Sequence, residues 1–292
     1  MRTLVVGGGG REHALVWACR RDCPNSTVFC LPGNAGTARI ATNLPGSATD
    51  VPGVVRAARE HGVELVVVGP EAPLAAGLVD ALTATGIPVF GPTASAARIE
   101  SSKVFAKDLM SRHGIPTARA RAFTELGAAE RYIDAHPEPL VVKASGLAGG
   151  KGAVVCASRP EARAAARAML GAGVLGEAGS EILVEEFLDG EELSVQAITD
   201  GEHFAILPAA QDHKRLQDGD FGPNTGGMGA YCPVGVATPH LLRQVADDII
   251  APTLRALKTE GSPYRGVLYA GLMIRPDGSP AVIEFNCRFG DP

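Results

Sequence analysis

The chain has 292 residues, 46% of them hydrophobic and 20% charged, with a formal net charge of −5. Such a length exceeds one typical domain and can bury a sizeable core in two or three units. The acidic balance, with no basic run beyond Lys214-Arg215, argues against a nucleic-acid binder held by phosphate contacts, and no run approaches 18 consecutive apolar residues as a membrane span requires.

The first hundred residues alternate strand and helix. Thr3 to Val6 predicts a strand, with glycines where a signal peptide would carry its apolar segment. Glu12 to Arg20 predicts a helix, Val28 to Cys30 and Leu65 to Val68 strands, Leu74 to Ala84 a helix, and Ile87 to Phe90 a further strand. That alternation implies a parallel sheet with its loops gathered at the carboxyl ends of the strands. The six cysteines show neither CxxC pairs nor an accompanying histidine pattern, and read as small buried thiols of a cytoplasmic protein.

Gly7 to Gly10 invites comparison with a dinucleotide-binding loop, yet Glu12 stands where the third glycine should be. The second strand also ends Cys30-Leu-Pro-Gly33, without an acid for a ribose. A generic site for a phosphate or ribose phosphate at a helix N-terminus remains. Pro32 to Thr37 forms a second donor-rich loop on the same edge.

Ser101-Ser102 caps a helix carrying Lys103 and Lys107 one turn apart. Helix lysines are usually solvated, so this pair alone decides nothing. Gly114-Ile-Pro116 closes the helix, and composition changes near Ala118. The next unit runs strand Leu140 to Lys143, a glycine-rich loop Ser145 to Gly152, strand Ala153 to Cys156, helix Glu161 to Leu170 and strand Glu181 to Val184. A strand lysine and a loop lysine, Lys143 and Lys151, among closely spaced glycines suit a flap whose backbone N–H groups wrap phosphate oxygens. It is not a Walker loop, because Gly152 follows Lys151 and no helix opens there. Val184 to Glu192 reads either as a connector that clamps adenine with backbone groups or as a surface acid cluster.

The last strand places Glu284, Asn286 and Arg288 on one side and Ile283, Phe285 and Cys287 on the other. A carboxylate and an amide carbonyl about 7 Å apart, followed by a guanidinium, suit Mg²⁺ held against nucleotide phosphates. A solvated face with a mixed charge pattern fits the same residues.

Taken in order, Lys103, Lys143 with its glycine loop, EEFLDGEE (185–192) and Glu284-x-Asn286 resemble the ATP-grasp superfamily. More narrowly the chain resembles the phosphoribosylamine–glycine ligase (glycinamide ribonucleotide synthetase) family. The resemblance spans the whole chain through GGREHA (9–14), PGNAGT (32–37), VGPEAPL (68–74), SSKVFAKDLM (101–110), GLAGGKG (146–152), QDHKR (211–215), GPNTGGMGAY (222–231) and IEFNCRFGDP (283–292). The flap departs from the commoner KADGLAAGKG at Ser145 and Gly149.

The resemblance implies an α/β N-terminal domain over 1–100 and an α+β ATP-grasp domain over 101–292, with a flap subdomain at about 119–190. It implies ATP-dependent joining of glycine to 5-phosphoribosylamine through glycyl phosphate. ATP would meet Lys103, Lys143, Gly149, Gly150, Lys151, Gly152, Glu185, Glu186, Phe187, Leu188 and Glu192, with adenine at 186–188 and the ribose at Glu192. Mg²⁺ or Mn²⁺ would bind Glu284 and Asn286, and Arg288 with Lys143 would serve catalysis. The substrates would meet Gly9, Gly10, Arg11, Glu12, Asn34, Gly36, Thr37 and Glu71. They would also meet Asp212, Asn224, Thr225, Gly226, Gly227, Met228 and Gly229. His13 and His213 receive no role. The family's chain continues past GDP, so a fragment of weakened activity is expected.

Overall fold

The computed structural model describes residues 1–149, 152–171, 175–213, 215–219, 221–225 and 228–291. Strands β1 (Arg2–Gly7), β2 (Thr27–Pro32), β3 (Thr42–Asn43), β4 (Leu65–Val68) and β5 (Val89–Phe90) form a parallel sheet in the order β3-β2-β1-β4-β5. Leu4, Val5 and Val6 are fully buried, as a strand covered on both faces requires. Helices α1 (Gly10–Asp22) and α2 (Val51–Glu60) follow β1 and β3. Strand order reverses at β1, so the loops after β1 and β4 open a crevice at the sheet's carboxyl edge.

One helix was expected from Leu74 to Ala84; there are two, α3 (Glu71–Ala75) and α4 (Leu78–Ala84). Gly77 lies between them at φ +83°, a left-handed conformation that interrupts a right-handed helix. Helices α5 (Ala94–Ser101) and α6 (Lys103–Arg112) meet at Ser102. The Ser102 side chain accepts from Phe105 N, while the Ser145 carbonyl and hydroxyl accept from Lys103 N at 2.9 Å and Val104 N at 3.3 Å. The departure at Ser145 therefore caps the helix that carries Lys103.

Strands β6 (Ala120–Phe123), β7 (Leu140–Ala144), β8 (Ala153–Cys156) and β9 (Ile182–Glu186) form an antiparallel sheet ordered β6-β9-β7-β8. Helices α7 (Leu126–Ala135) and α8 (Arg159–Ala166) pack on it, and Phe123, Ile133, Leu140, Val142, Ile182 and Val184 belong to a separate core. The helix expected from Glu161 to Leu170 starts earlier, because Pro160 suits a first turn, and gives way to a π turn over Arg167–Gly171.

The third sheet is antiparallel. Strand β10 (Glu191–Thr199) pairs with β11 (Phe204–Ile206), and two short ladders follow from β12 (Gln211–Asp212), β13 (Arg215–Gln217), β14 (Phe221–Asn224) and β15 (Ala230–Tyr231). After helices α9 (Pro239–Val245) and α10 (Ala251–Thr259), strands β16 (Gly266–Ile274) and β17 (Pro280–Asn286) complete the order β11-β10-β16-β17. One core runs from Leu4 and Val66 through Ile99 and Leu109 to Leu193, Leu268 and Phe285, joining this sheet to the N-terminal layers.

Two expectations need correction here. Pairing steps from Gly271↔Glu284 to Leu272↔Val282, so Ile283 is an extra residue in a bulge. Val282 thus joins Phe285 and Cys287 in the core, and Ile283 leaves the apolar side it was expected to share. Of the cysteines only Cys30, Cys156 and Cys287 are buried; Cys19 is half-buried, and Cys23 and Cys232 are exposed in turns that follow regular elements. No helix among the described residues is long and apolar enough to cross a membrane.

Candidate active site

Strand β7 carries Lys143 one residue before its end and β9 carries Glu185, so adjacent strands bring the two together. Lys143 Nζ lies 2.8 Å from Glu185 Oε2, and Lys107 Nζ, arriving from α6, lies 3.1 Å from Oε1. Lys107 also donates to the Thr117 hydroxyl at 2.8 Å, and Lys143 to the Ile283 carbonyl at 2.9 Å. Burial opposes the Glu185 charge, but Lys143 and Lys107 hold its carboxyl below the usual range. Burial pulls Lys107 down despite Glu185. Lys103 Nζ reaches the Gly146 carbonyl at 3.4 Å; burial lowers its pKa, while the nearby Glu284 works in the opposite direction.

Beyond the bulge, Asn286 and Arg288 come together. Arg288 Nη2 donates to Asn286 Oδ1 at 3.3 Å, and Nε lies 2.9 Å from Glu71 Oε2 and 3.3 Å from Glu100 Oε1. Burial disfavours the guanidinium charge, yet Glu100 and Glu71 raise its pKa above the ordinary value. The Glu284 carboxylate makes no hydrogen bond to a described residue. Among those residues no cluster of three His, Cys, Asp or Glu side chains could hold a metal. Glu284 and Asn286 supply two hard oxygen donors, which suits an ion that takes its other ligands from phosphate and water.

Around the crevice at β1 and β4, Arg11 is nearly buried. It donates to the Gly69 carbonyl at 2.8 Å and the Gly290 carbonyl at 3.2 Å, and pairs with Asp291 at 3.3 Å. Burial and then Arg288 lower its pKa. Glu12, the residue standing in place of a glycine, turns inward and accepts from Gly9 N at 2.6 Å. It occupies the space a Cβ on Gly7 or Gly69 would need. Asn34 ties the two loops: its amide donates to the Gly8 carbonyl at 3.0 Å, and its oxygen accepts from Gly36 N at 2.7 Å and Thr37 N at 3.0 Å. Gly9, Arg11, Glu12 and Glu71 line a cleft of about 490 Å³; Gly10 opens α1 beside it.

The remaining residues are placed further out. Glu186 N donates to the Arg119 carbonyl at 3.0 Å and its carboxylate pairs with Arg119, while Phe187 is exposed and Leu188 half-buried. Glu192 offers its carbonyl to Gln211 Nε2 at 2.8 Å, which ties the 211–231 ladders to β10. Asp212 pairs with Ala230, Met228 N donates to the His213 carbonyl, and His213 N to that of Gly229. Asn224 ends β14, Thr225 follows it half-buried, Gly149 lies in a turn beyond β7 and Gly152 directly precedes β8. Gly150, Lys151, Gly226 and Gly227 lie outside the described residues.

Two residues without an assigned role join this site: Lys107, read as one of a solvated pair, and Glu100. The signal for Glu100 was a lone acid after the small apolar run Ala96, Ala97, Ile99 on α5; all four are buried.

Two family models match: the phosphoribosylglycinamide synthetase N domain over residues 1–100, and its ATP-grasp (A) domain over residues 101–292. The phosphoribosylamine–glycine ligase of Vibrio parahaemolyticus is 50% identical over 294 aligned positions, covering 100% of this chain and 68% of that protein. The crystal structure of phosphoribosylamine–glycine ligase from Thermotoga maritima gives a TM-score of 0.87 at 37% identity, covering 100% of this chain and 70% of that one. The biotin carboxylase domain of Hydrogenobacter thermophilus 2-oxoglutarate carboxylase, crystallised with MgADP and bicarbonate, shares the fold. Its TM-score is 0.77 at 18% identity, covering 99% of this chain and 64% of that one.

Proposed function

Given that the chain belongs to the phosphoribosylglycinamide synthetase family, we propose that it ligates glycine to 5-phosphoribosylamine in purine biosynthesis. ATP drives the step, and glycinamide ribonucleotide, ADP and phosphate are the products. One observation carries the reading: Lys143, at the root of the flap, is bonded to the carbonyl of Ile283, the residue before Glu284. The expected phosphate anchor is thereby tied to the strand that carries the expected metal donors, Glu284 and Asn286.

Glycine's carboxylate would attack the γ-phosphate, breaking its bond to ADP and forming glycyl phosphate. The amine of phosphoribosylamine would then displace phosphate, forming the amide and losing a proton. Lys103 and Lys143 would hold nucleotide phosphates, and Arg288 would pair bidentately with the acyl phosphate or glycine's carboxylate. The cleft beside Arg11 and Glu71 would take phosphoribosylamine. Residues 186–188 would read adenine, Glu192 the ribose, and the segment 224–229 with Asp212 would lie between the ligands. The flap at 145–152 would exclude water from the labile intermediate. Mg²⁺ or Mn²⁺ at Glu284 and Asn286, when bound, would neutralise charge on the β- and γ-oxygens.

The test is ADP formation with each substrate omitted in turn. Turnover that requires glycine and phosphoribosylamine together supports the reading. ADP formation indifferent to phosphoribosylamine would reject it.

A further inference from the structure

We propose that Glu100 is a positioning residue for acyl transfer, its two carboxylate oxygens fixing the Arg288 guanidinium and the Cys287 peptide; the inference rests on the ligase reading above. Glu100 Oε2 accepts from Cys287 N at 2.7 Å and from the Cys287 thiol at 2.9 Å. Its other oxygen lies 3.3 Å from Arg288 Nε. The carboxylate therefore grips two consecutive residues immediately after the strand that carries Glu284 and Asn286.

Arg288 has five N–H donors in a planar fork. Nε meets Glu71 and Glu100, one Nη1 hydrogen goes to the Phe289 carbonyl, and one Nη2 hydrogen goes to Asn286. Among the described residues no partner takes the second hydrogen on either Nη, which suits a carboxylate or acyl phosphate in the bidentate pairing that guanidinium favours. Of the two acids, Glu71 is the more exposed, 27% against 8%, and begins the five-residue helix α3. Glu100 belongs to α5, whose Ala96, Ala97 and Ile99 are buried in the main core. Glu71 makes the shorter contact with Arg288, 2.9 Å against 3.3 Å, whereas Glu100 is the acid whose own position the core fixes.

A buried acceptor needed only for the Cys287 N–H could equally be an amide oxygen. Balancing and orienting a guanidinium needs the charge. Burial raises the Glu100 pKa, with Arg288 opposing it, so charge and position depend on each other.

Glu100→Gln in the full chain separates the two roles. We expect kcat for glycine- and phosphoribosylamine-dependent ADP formation to fall by about 10- to 100-fold, with the KM for ATP within about twofold of wild type. The melting temperature should stay within about 4 °C. Wild-type kcat in this variant overturns the proposal, as does a parallel loss of ATP affinity and melting temperature, which marks a structural role. If the variant is too unstable to assay, Glu100→Asp carries the test: it keeps the charge but withdraws it by one carbon–carbon bond. An intermediate fall in kcat with unchanged ATP KM supports positioning, and wild-type kcat overturns it. An unmodified chain without substrate-dependent turnover rejects the ligase reading and this inference with it; an active chain with a normal Glu100→Gln rejects only the latter.

Discussion

Lys143 and Glu185 form a buried ion pair, Nζ to Oε2 2.8 Å, and Lys107 closes on the other carboxylate oxygen at 3.1 Å. Two ammonium groups sharing one carboxylate leave a net charge of +1 (two positive, one negative) where β7, β9 and α6 converge. Desolvating three charges is costly, and the geometry compensates: both carboxylate oxygens are paired, and each lysine also donates to a neutral oxygen. The residual positive charge is what an anionic phosphate group would meet.

Glu185→Gln should therefore destabilise the fold by about 3–5 kcal/mol, because it leaves two buried cations without their counterion. The variant should also change the acid response. Glu185 titrates below its ordinary value in the folded state, so on acidification the unfolded chain takes up that proton first. Stability is then lost as pH falls below the ordinary carboxylate range toward the lowered value. Urea titrations from neutral pH downward should show this slope reduced in Glu185→Gln; an unchanged slope would count against the triad as its source.

Lys143→Met should weaken ATP binding by about 1.5–3 kcal/mol, the range for a charge-assisted contact. The fold should survive, since Glu185 retains Lys107. Calorimetric titration with ATP measures the change, and unaltered affinity would refute a phosphate role for this lysine.

Glu284→Gln should abolish ligation while leaving thermal unfolding close to wild type. The carboxylate is half-buried and makes no hydrogen bond to a described residue, so the fold loses little when its charge is removed. Turnover near the wild-type level at ordinary Mg²⁺ would remove Glu284 from the metal site.

Gly69→Ala should cost about 1–3 kcal/mol by overpacking. A Cβ at this position would come within 2.6 Å of Glu12 Cδ, so the carboxylate must move away from Gly9 N. Denaturant unfolding gives the cost, and the KM for phosphoribosylamine should rise with it. A variant of wild-type stability and KM would show that Glu12 can relocate freely.

The order of apolar runs and glycine turns determined the layers. Leu4–Val6 and Leu65–Val68 could only be buried strands, and Ser102 before a lysine-bearing periodic segment could only open a helix, because these signals act within one turn or one strand. The motifs likewise marked Lys143, Glu284, Asn286 and Arg288 as chemistry-bearing. Tertiary structure alone decided which charge meets which. Glu185 reads in sequence as one of five acids around a Gly turn, yet only pairing of β9 with β7 sets it against Lys143. Lys107 reads as a solvated helix residue, and becomes a buried counterion because α6 packs on β9. Ile283 departs from strict alternation because β16 and β17 differ by one residue at the bulge, a property of the pair and not of either strand. Glu100 and Arg288 lie far apart in sequence and come within 3.3 Å only after α5 docks on β17. Local propensity sets the elements, whereas a long-range ion pair exists only once burial makes every alternative partner inaccessible.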